Sequence, residues 1–143
     1  MSLPEESLGF LLADVSRLMR RAFQEYLEGE GTLTLAQARA LIYVSRHQGI
    51  RQVELADLLE VQPITLARLL DQLAQHGLIE RRPDPHDRRA HLIYLTDAAA
   101  PQLASIKERG AANRAAALRG VSKEQAATLT LVLKQIRDNL TAH

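Results

Sequence analysis

A chain of 143 residues, 46% hydrophobic and 24% charged, has the size and composition of one soluble globular domain able to bury a core. The absence of cysteine excludes disulfides, thiolate nucleophiles and thiol-based oxidant sensing, and 3% aromatics argues against stacking platforms for single-stranded nucleic acid. A formal net charge of +1 is far from the strongly basic footprint of many nucleic-acid-binding domains, so any DNA-binding face must be local. No apolar run approaches the ~20 residues that span a bilayer, and the start Met1-Ser2-Leu3-Pro4-Glu5-Glu6 lacks the basic segment of a signal peptide. The cytoplasm is therefore the expected compartment, with no membrane partner.

From Ser7 onward, Leu8, Leu11, Leu12, Val15, Leu18, Met19, Ala22, Phe23 and Tyr26 recur at helical spacing and predict a long amphipathic helix, ending at a break around Gly29 and Gly31. Thr34 and Gln37 have the spacing of a capping box and open a second helix to about Arg46, largely buried through Ala38, Leu41, Ile42, Tyr43 and Val44, with Gly49 ending the segment. A short helix over 51–59 follows. After a tight Glu60-Val61 turn another helix starts near Gln62, with Pro63 in the first turn, where its missing N–H is harmless. Leu66, Leu69, Leu70 and Leu73 form its inward stripe, and Gly77 is a left-handed stop. Two short helices joined by so short a turn predict a helix-turn-helix.

Residues 81–96, RRPDPHDRRAHLIYLT, come directly after that unit. Pro83, Asp84 and Pro85 are turn formers, so a strand near 78–82, a polar loop and a return strand near 90–95 predict a β-hairpin with cations at tip and base. A hairpin in this position is a wing. Thr96 is expected to cap a long alanine-rich helix to about Leu118, with Pro101 just past the first turn costing one intrahelical bond. Gly120 breaks the chain, Ser122 and Gln125 form a second capping box, and Leu129, Val132, Leu133, Ile136 and Leu140 stripe the last helix. The fold class expected is mainly α with a small β-hairpin wing, in a single domain spanning 1–143. A winged helix-turn-helix over 34–97 is flanked by helical segments over 1–30 and 98–143. Their apolar faces either pack within one chain or pair two copies; in so short a chain a symmetric homodimer is favoured.

The second helix of a helix-turn-helix enters the major groove and presents its first residues to base edges. Gln62, Ile64, Thr65 and Arg68 are the outward positions, with Asp71 and Gln72 further along as additional candidates: glutamine can pair with adenine, arginine with guanine, and the methyl groups of isoleucine and threonine can touch thymine. The plain alternative is an ordinary solvated helix face. The wing would lie over the minor groove, where an inserted arginine reads groove width. Arg88 and Arg89 are the candidates there, with Asp87 expected to orient one of them through a bidentate ion pair. Arg81 and Arg82 at the hairpin base either meet phosphates or are solvated. There is no glycine-rich phosphate loop or nucleophile motif, and His47, His76, His86 and His91 lie on different predicted elements without ligand spacing. No enzymatic activity, metal or cofactor is expected.

Leu55-Ala56-Asp57-Leu58-Leu59, then the run from Val61-Gln62-Pro63-Ile64-Thr65 to Leu73, then Gly77-Leu78-Ile79-Glu80-Arg81, resemble MarR-type transcriptional regulators. The wing Asp87-Arg88-Arg89-Ala90, ending in Leu95-Thr96, is similar to that family's signature. The Gln-Pro start of the recognition helix, the Asp-Arg-Arg-Ala wing, Pro101 and the Leu8-Gly9 opening look closest to the SlyA branch. The resemblance spans essentially the whole chain and is most specific over 52–97. It implies an obligate homodimer, held by the terminal helices, on pseudo-palindromic double-stranded operator DNA. Recognition roles then fall on Gln62, Ile64, Thr65 and Arg68, and wing roles on Asp87, Arg88 and Arg89. It also implies release from DNA by a small phenolic or aromatic carboxylate effector bound between the dimerisation and DNA-binding regions, whose pocket residues the sequence does not assign. The competing class is a winged-helix protein–protein module that has lost DNA binding; such a module could dispense with Arg68, Arg88 and Arg89.

Overall fold

The computed structural model describes residues 7–29 and 33–142, so Gly31, part of the expected helix break, lies outside the described residues. Among the described residues the chain order is α1 (Leu8–Leu27), α2 (Leu35–Arg46), β1 (Ile50–Arg51), α3 (Gln52–Leu59), α4 (Pro63–Gln75), β2 (Ile79–Asp84), β3 (Asp87–Leu95), α5 (Ala99–Ala117) and α6 (Lys123–Thr141). This is the mainly helical winged fold that the periodicity predicts.

Both capping boxes form. Thr34 accepts from the Gln37 N–H at 3.2 Å while the Gln37 side chain accepts from the Thr34 N–H at 3.0 Å, and Ser122 and Gln125 repeat the exchange at the start of α6. Gly77 and Gly120 take positive φ where α4 and α5 end, as a left-handed stop requires. The turn between α3 and α4 is tighter still, and its left-handed residue is Glu60 at φ 55°.

The core lies where α2, α3, α4 and the sheet meet. Leu41 and Val44 of α2, Leu55 of α3, Leu66, Leu70 and Leu73 of α4, and Ile93 of β3 are sealed from solvent; Ala99 and Ile106 of α5 and Leu27 of α1 close its edge. Asn113, buried in α5, donates its amide to the Met19 carbonyl of α1 at 3.1 Å, and Arg109 donates to the Tyr26 carbonyl, so α5 grips α1 along its length. α6 contributes no buried residue.

Four expectations need correction. The sheet has three strands in the order β1-β3-β2, not two, because Ile50 and Arg51 pair with Ile93 and Leu92. Gly49 makes that pairing possible: it adopts φ +83°, and a Cβ there would sit 2.9 Å from the Tyr94 hydroxyl. The hairpin strands run further than predicted, leaving only Pro85 and His86 between them. Pro83 lies inside β2, an edge strand, where a missing N–H is tolerated. Thr96 does not cap α5, whose N-cap is Ala98; its hydroxyl instead donates to the Gly77 carbonyl and ties the end of the hairpin to the end of α4. Because α5 starts at Ala99, Pro101 falls within its first turn, where no intrahelical N–H bond exists to be lost.

Candidate nucleic-acid interface

The recognition-helix candidate α4 is held from behind on two sides. Arg81 of β2 reaches Asp71 at 2.7 Å and the Ala67 carbonyl at 3.2 Å, and Gln37 of α2 donates to Gln72 at 3.2 Å. With Leu66, Leu70 and Leu73 buried, the helix cannot roll, and Gln62, Ile64, Thr65 and Arg68 all remain on the exposed side. Gln62 is the N-cap residue, but its side chain makes no cap hydrogen bond. Ile64, the second residue of α4, is 63% exposed, a position where an apolar side chain gains nothing from its own fold. Arg68 has no side-chain hydrogen bond or ion pair among the described residues.

The wing's other arginines divide sharply. Arg81 is consumed by α4, as above. Arg82 pairs with Glu80 and lies over the Tyr94 ring, its Cζ 3.9 Å from the ring centroid. Both guanidinium groups thus have protein partners, which neither reading of this pair, phosphate contact or plain solvation, anticipates. Arg88 and Arg89 are exposed and make no side-chain bond among the described residues. Between Pro83, opposite His91, and Asp84, opposite Asp87, the β2–β3 register shifts, so Arg88, Arg89 and Ala90 have no partners on β2 and form a bulge.

Asp87 does not pair with either guanidinium. Its Oδ1 accepts the backbone N–H of Arg89 at 3.0 Å, a local turn bond that shapes the bulge and leaves the arginine side chains unrestrained. The ion-paired carboxylate at the wing's far end is Asp84, whose Oδ2 lies 3.0 Å from Arg51 Nη2 while its Oδ1 accepts the His86 N–H at 2.9 Å. Sequence reasoning read Asp84 only as a turn former; nothing in the local pattern links it to Arg51 at the other edge of the sheet.

Two clefts flank Asn113 beside α1. One, between α1 and α5, is lined mainly by Val15, Leu18, Met19, Ala22, Tyr26 and Ala116; the other, reaching α2, by Met19, Arg20, Phe23, Arg39, Ile42 and Tyr43. Among the described residues no cluster of three histidine, aspartate or glutamate side chains could hold a metal ion, and no helix is long and apolar enough to cross a membrane.

The MarR family model matches residues 33–91, the stretch from the start of α2 to the arginine-bearing bulge. Among solved structures, wild-type apo MarR from E. coli is 30% identical, with 95% of this chain and 98% of that one covered and a TM-score of 0.78. A cysteine-to-serine mutant of E. coli MarR in complex with operator DNA is 29% identical, with 95% and 99% covered and a TM-score of 0.73. A MarR transcriptional regulator from Methanosarcina mazei shares the fold, with a TM-score of 0.81 over 94% of this chain and 96% of that one at 22% identity. In fold, length and sequence over the helix-turn-helix and wing, the chain belongs to the MarR family of transcriptional regulators.

Proposed function

We propose that the chain is a dimeric, sequence-specific regulator that binds double-stranded operator DNA, most similar within its family to the SlyA branch. One observation carries the reading. Arg51, Arg81 and Arg82 are each committed to a carboxylate, whereas Arg68 on α4 and Arg88 and Arg89 on the wing are exposed and uncommitted. A protein of net charge +1 that leaves these three guanidinium groups free on its helix-turn-helix and wing has a local cationic face fitted to a polyanion. The complex of the E. coli relative with operator DNA supports the same use of the fold.

Residues 34–97 form the DNA-binding region and 1–30 and 98–143 the dimerisation segments of one domain. Gln62, Ile64, Thr65 and Arg68 read base edges in the major groove, and Arg88 and Arg89 enter the minor groove, with Asp87 shaping the bulge that carries them. Dimerisation would cover the apolar faces of α1 and α6, where Leu8, Leu11, Val15 and Leu18, and Leu129, Val132, Leu133 and Leu140, stand in solvent. A small aromatic carboxylate fits the cleft lined by Phe23, Ile42 and Tyr43, where Arg20 and Arg39 could meet its charge, and its binding would release the DNA. The chain works in the cytoplasm and has no catalytic role.

A mobility-shift titration over a salt series tests the reading. Retardation of duplex DNA should weaken steeply with salt, and each phosphate contact removed should flatten the log–log slope by about 0.9. No retardation of any duplex at micromolar protein and low salt would favour the protein–protein module instead.

A further inference from the structure

Asp84 is the one charged side chain buried among the described residues, at 5% exposure. A carboxylate is kept out of water at a large cost unless its charge and lone pairs are met. Both oxygens of Asp84 are met, one by the His86 N–H and the other by the guanidinium of Arg51. Their places in the fold give this pair its interest. Asp84 ends β2 where the β2–β3 register breaks, and Arg51 ends β1 and is the N-cap residue of α3. With β3 between β1 and β2, the ion pair spans the middle strand and closes beside the bulge of Arg88, Arg89 and Ala90. Arg51, Gln52, Val53 and Pro63 on one side, and Arg89, Ala90 and His91 on the other, line a narrow cleft between the wing and the starts of α3 and α4.

A hairpin is joined to its domain at the base, here near Ile79 and Leu95, and its far end is free to swing unless something ties it down. We propose that the Arg51–Asp84 ion pair is the clamp that fixes the wing against α3, and so sets where Arg88 and Arg89 stand relative to Arg68. Arg51 and Asp84 are positioning residues in this account, and they influence DNA through Arg88 and Arg89. The inference rests on the DNA-binding function proposed above.

Asp84→Asn is the discriminating substitution, because it removes a negative charge beside the DNA-binding face. Electrostatics alone would make the variant bind DNA more tightly. Loss of the clamp makes it bind more weakly, by roughly tenfold, the order of one lost charge-assisted contact, with preference for A·T-rich flanks lost as well. In an Arg89→Ala background the same substitution should cost markedly less, since one of the two side chains it positions is gone. Arg51→Gln, at a half-exposed residue whose replacement leaves the core intact, should reproduce Asp84→Asn, and Arg51→Lys should recover most of the loss. Binding by Asp84→Asn as tight as wild type or tighter overturns the clamp. Additive losses from Arg51→Gln and Arg89→Ala also overturn it, by making Arg51 an independent phosphate contact. Amide hydrogen exchange on the free protein separates the clamp from the DNA reading. The His86 and Arg89 amides should exchange faster in Asp84→Asn while those of α1 and α5 do not change. Unchanged wing exchange overturns the clamp; faster wing exchange in a protein whose wild type retards no duplex overturns the DNA reading instead.

Discussion

Leu66, Leu70 and Leu73 of α4 are sealed in the core, whereas Leu129, Val132, Leu133 and Leu140 of α6, spaced just as regularly along their helix, stand in solvent. The two helices follow the same amphipathic rule and are equally well started, one with proline in its first turn and the other with a complete capping box. They differ in what lies opposite. α4 finds α2, α3 and the sheet across from it and completes a core within one chain. α1 finds α5 on one side, but its outer leucines and those of α6 find nothing. A helical period therefore says which face is apolar and leaves open what covers it; here the faces left over are those assigned to the dimer.

The contrast can be broken first at α6. Leu133 lies on the stripe and Leu131 on the opposite side of the helix, at 37% and 68% exposure. Leu133→Asp places an unpaired charge in the proposed interface, a change costing several kcal/mol, and sedimentation should show it as a monomer or unfolded. Leu131→Asp should sediment as the wild-type dimer. If both behave alike, the stripe is not the interface. Next in size is the core: Leu70→Ala should lower unfolding stability in denaturant titration by about 2–5 kcal/mol, whereas Leu131→Ala should stay within about 0.5 kcal/mol of wild type. At the DNA face Arg68→Ala should cost about 1–3 kcal/mol of operator binding and relax preference at one base pair per half-site, as titrations against operator variants would show. Arg81→Ala, which removes a group already bonded to Asp71 and Ala67, should loosen α4 and lower stability without relaxing any one base position. The smallest effect is expected at the α6 cap. Ser122→Ala should cost about 1 kcal/mol in thermal or chemical unfolding, with the dimer preserved.

Much of this molecule is legible in its sequence because its signals are local. Thr34 with Gln37, Ser122 with Gln125, and Pro63 followed by the leucines of α4 each act within a few residues, and each forms the element it announces. The misreadings come where the deciding partner is distant in the chain. Ile50 and Arg51 are too short a run to show strand alternation, and only β3 makes them a strand. Thr96 has the chemistry of a helix cap, which would accept from a backbone N–H, but once the hairpin closes its hydroxyl donates to the Gly77 carbonyl and α5 starts further on. In the candidate interface, exposure of Gln62, Ile64, Thr65 and Arg68 follows from helical period alone. The division of the arginines into committed and free, and the exchange of Asp87 for Asp84 as the ion-paired carboxylate, depend on cross-strand geometry that no local pattern encodes.

Selection of bound fragments from a randomised duplex pool tests both halves of the account at once. If the free arginines of α4 and the wing read DNA and the uncovered faces of α1 and α6 pair two chains, the enriched sequences will contain an inverted repeat whose half-sites lie about one helical turn apart, roughly 34–36 Å. Enrichment of a single unrepeated half-site would contradict the dimer, and no enrichment at all would contradict the assignment of the helix-turn-helix and wing as a sequence-reading surface.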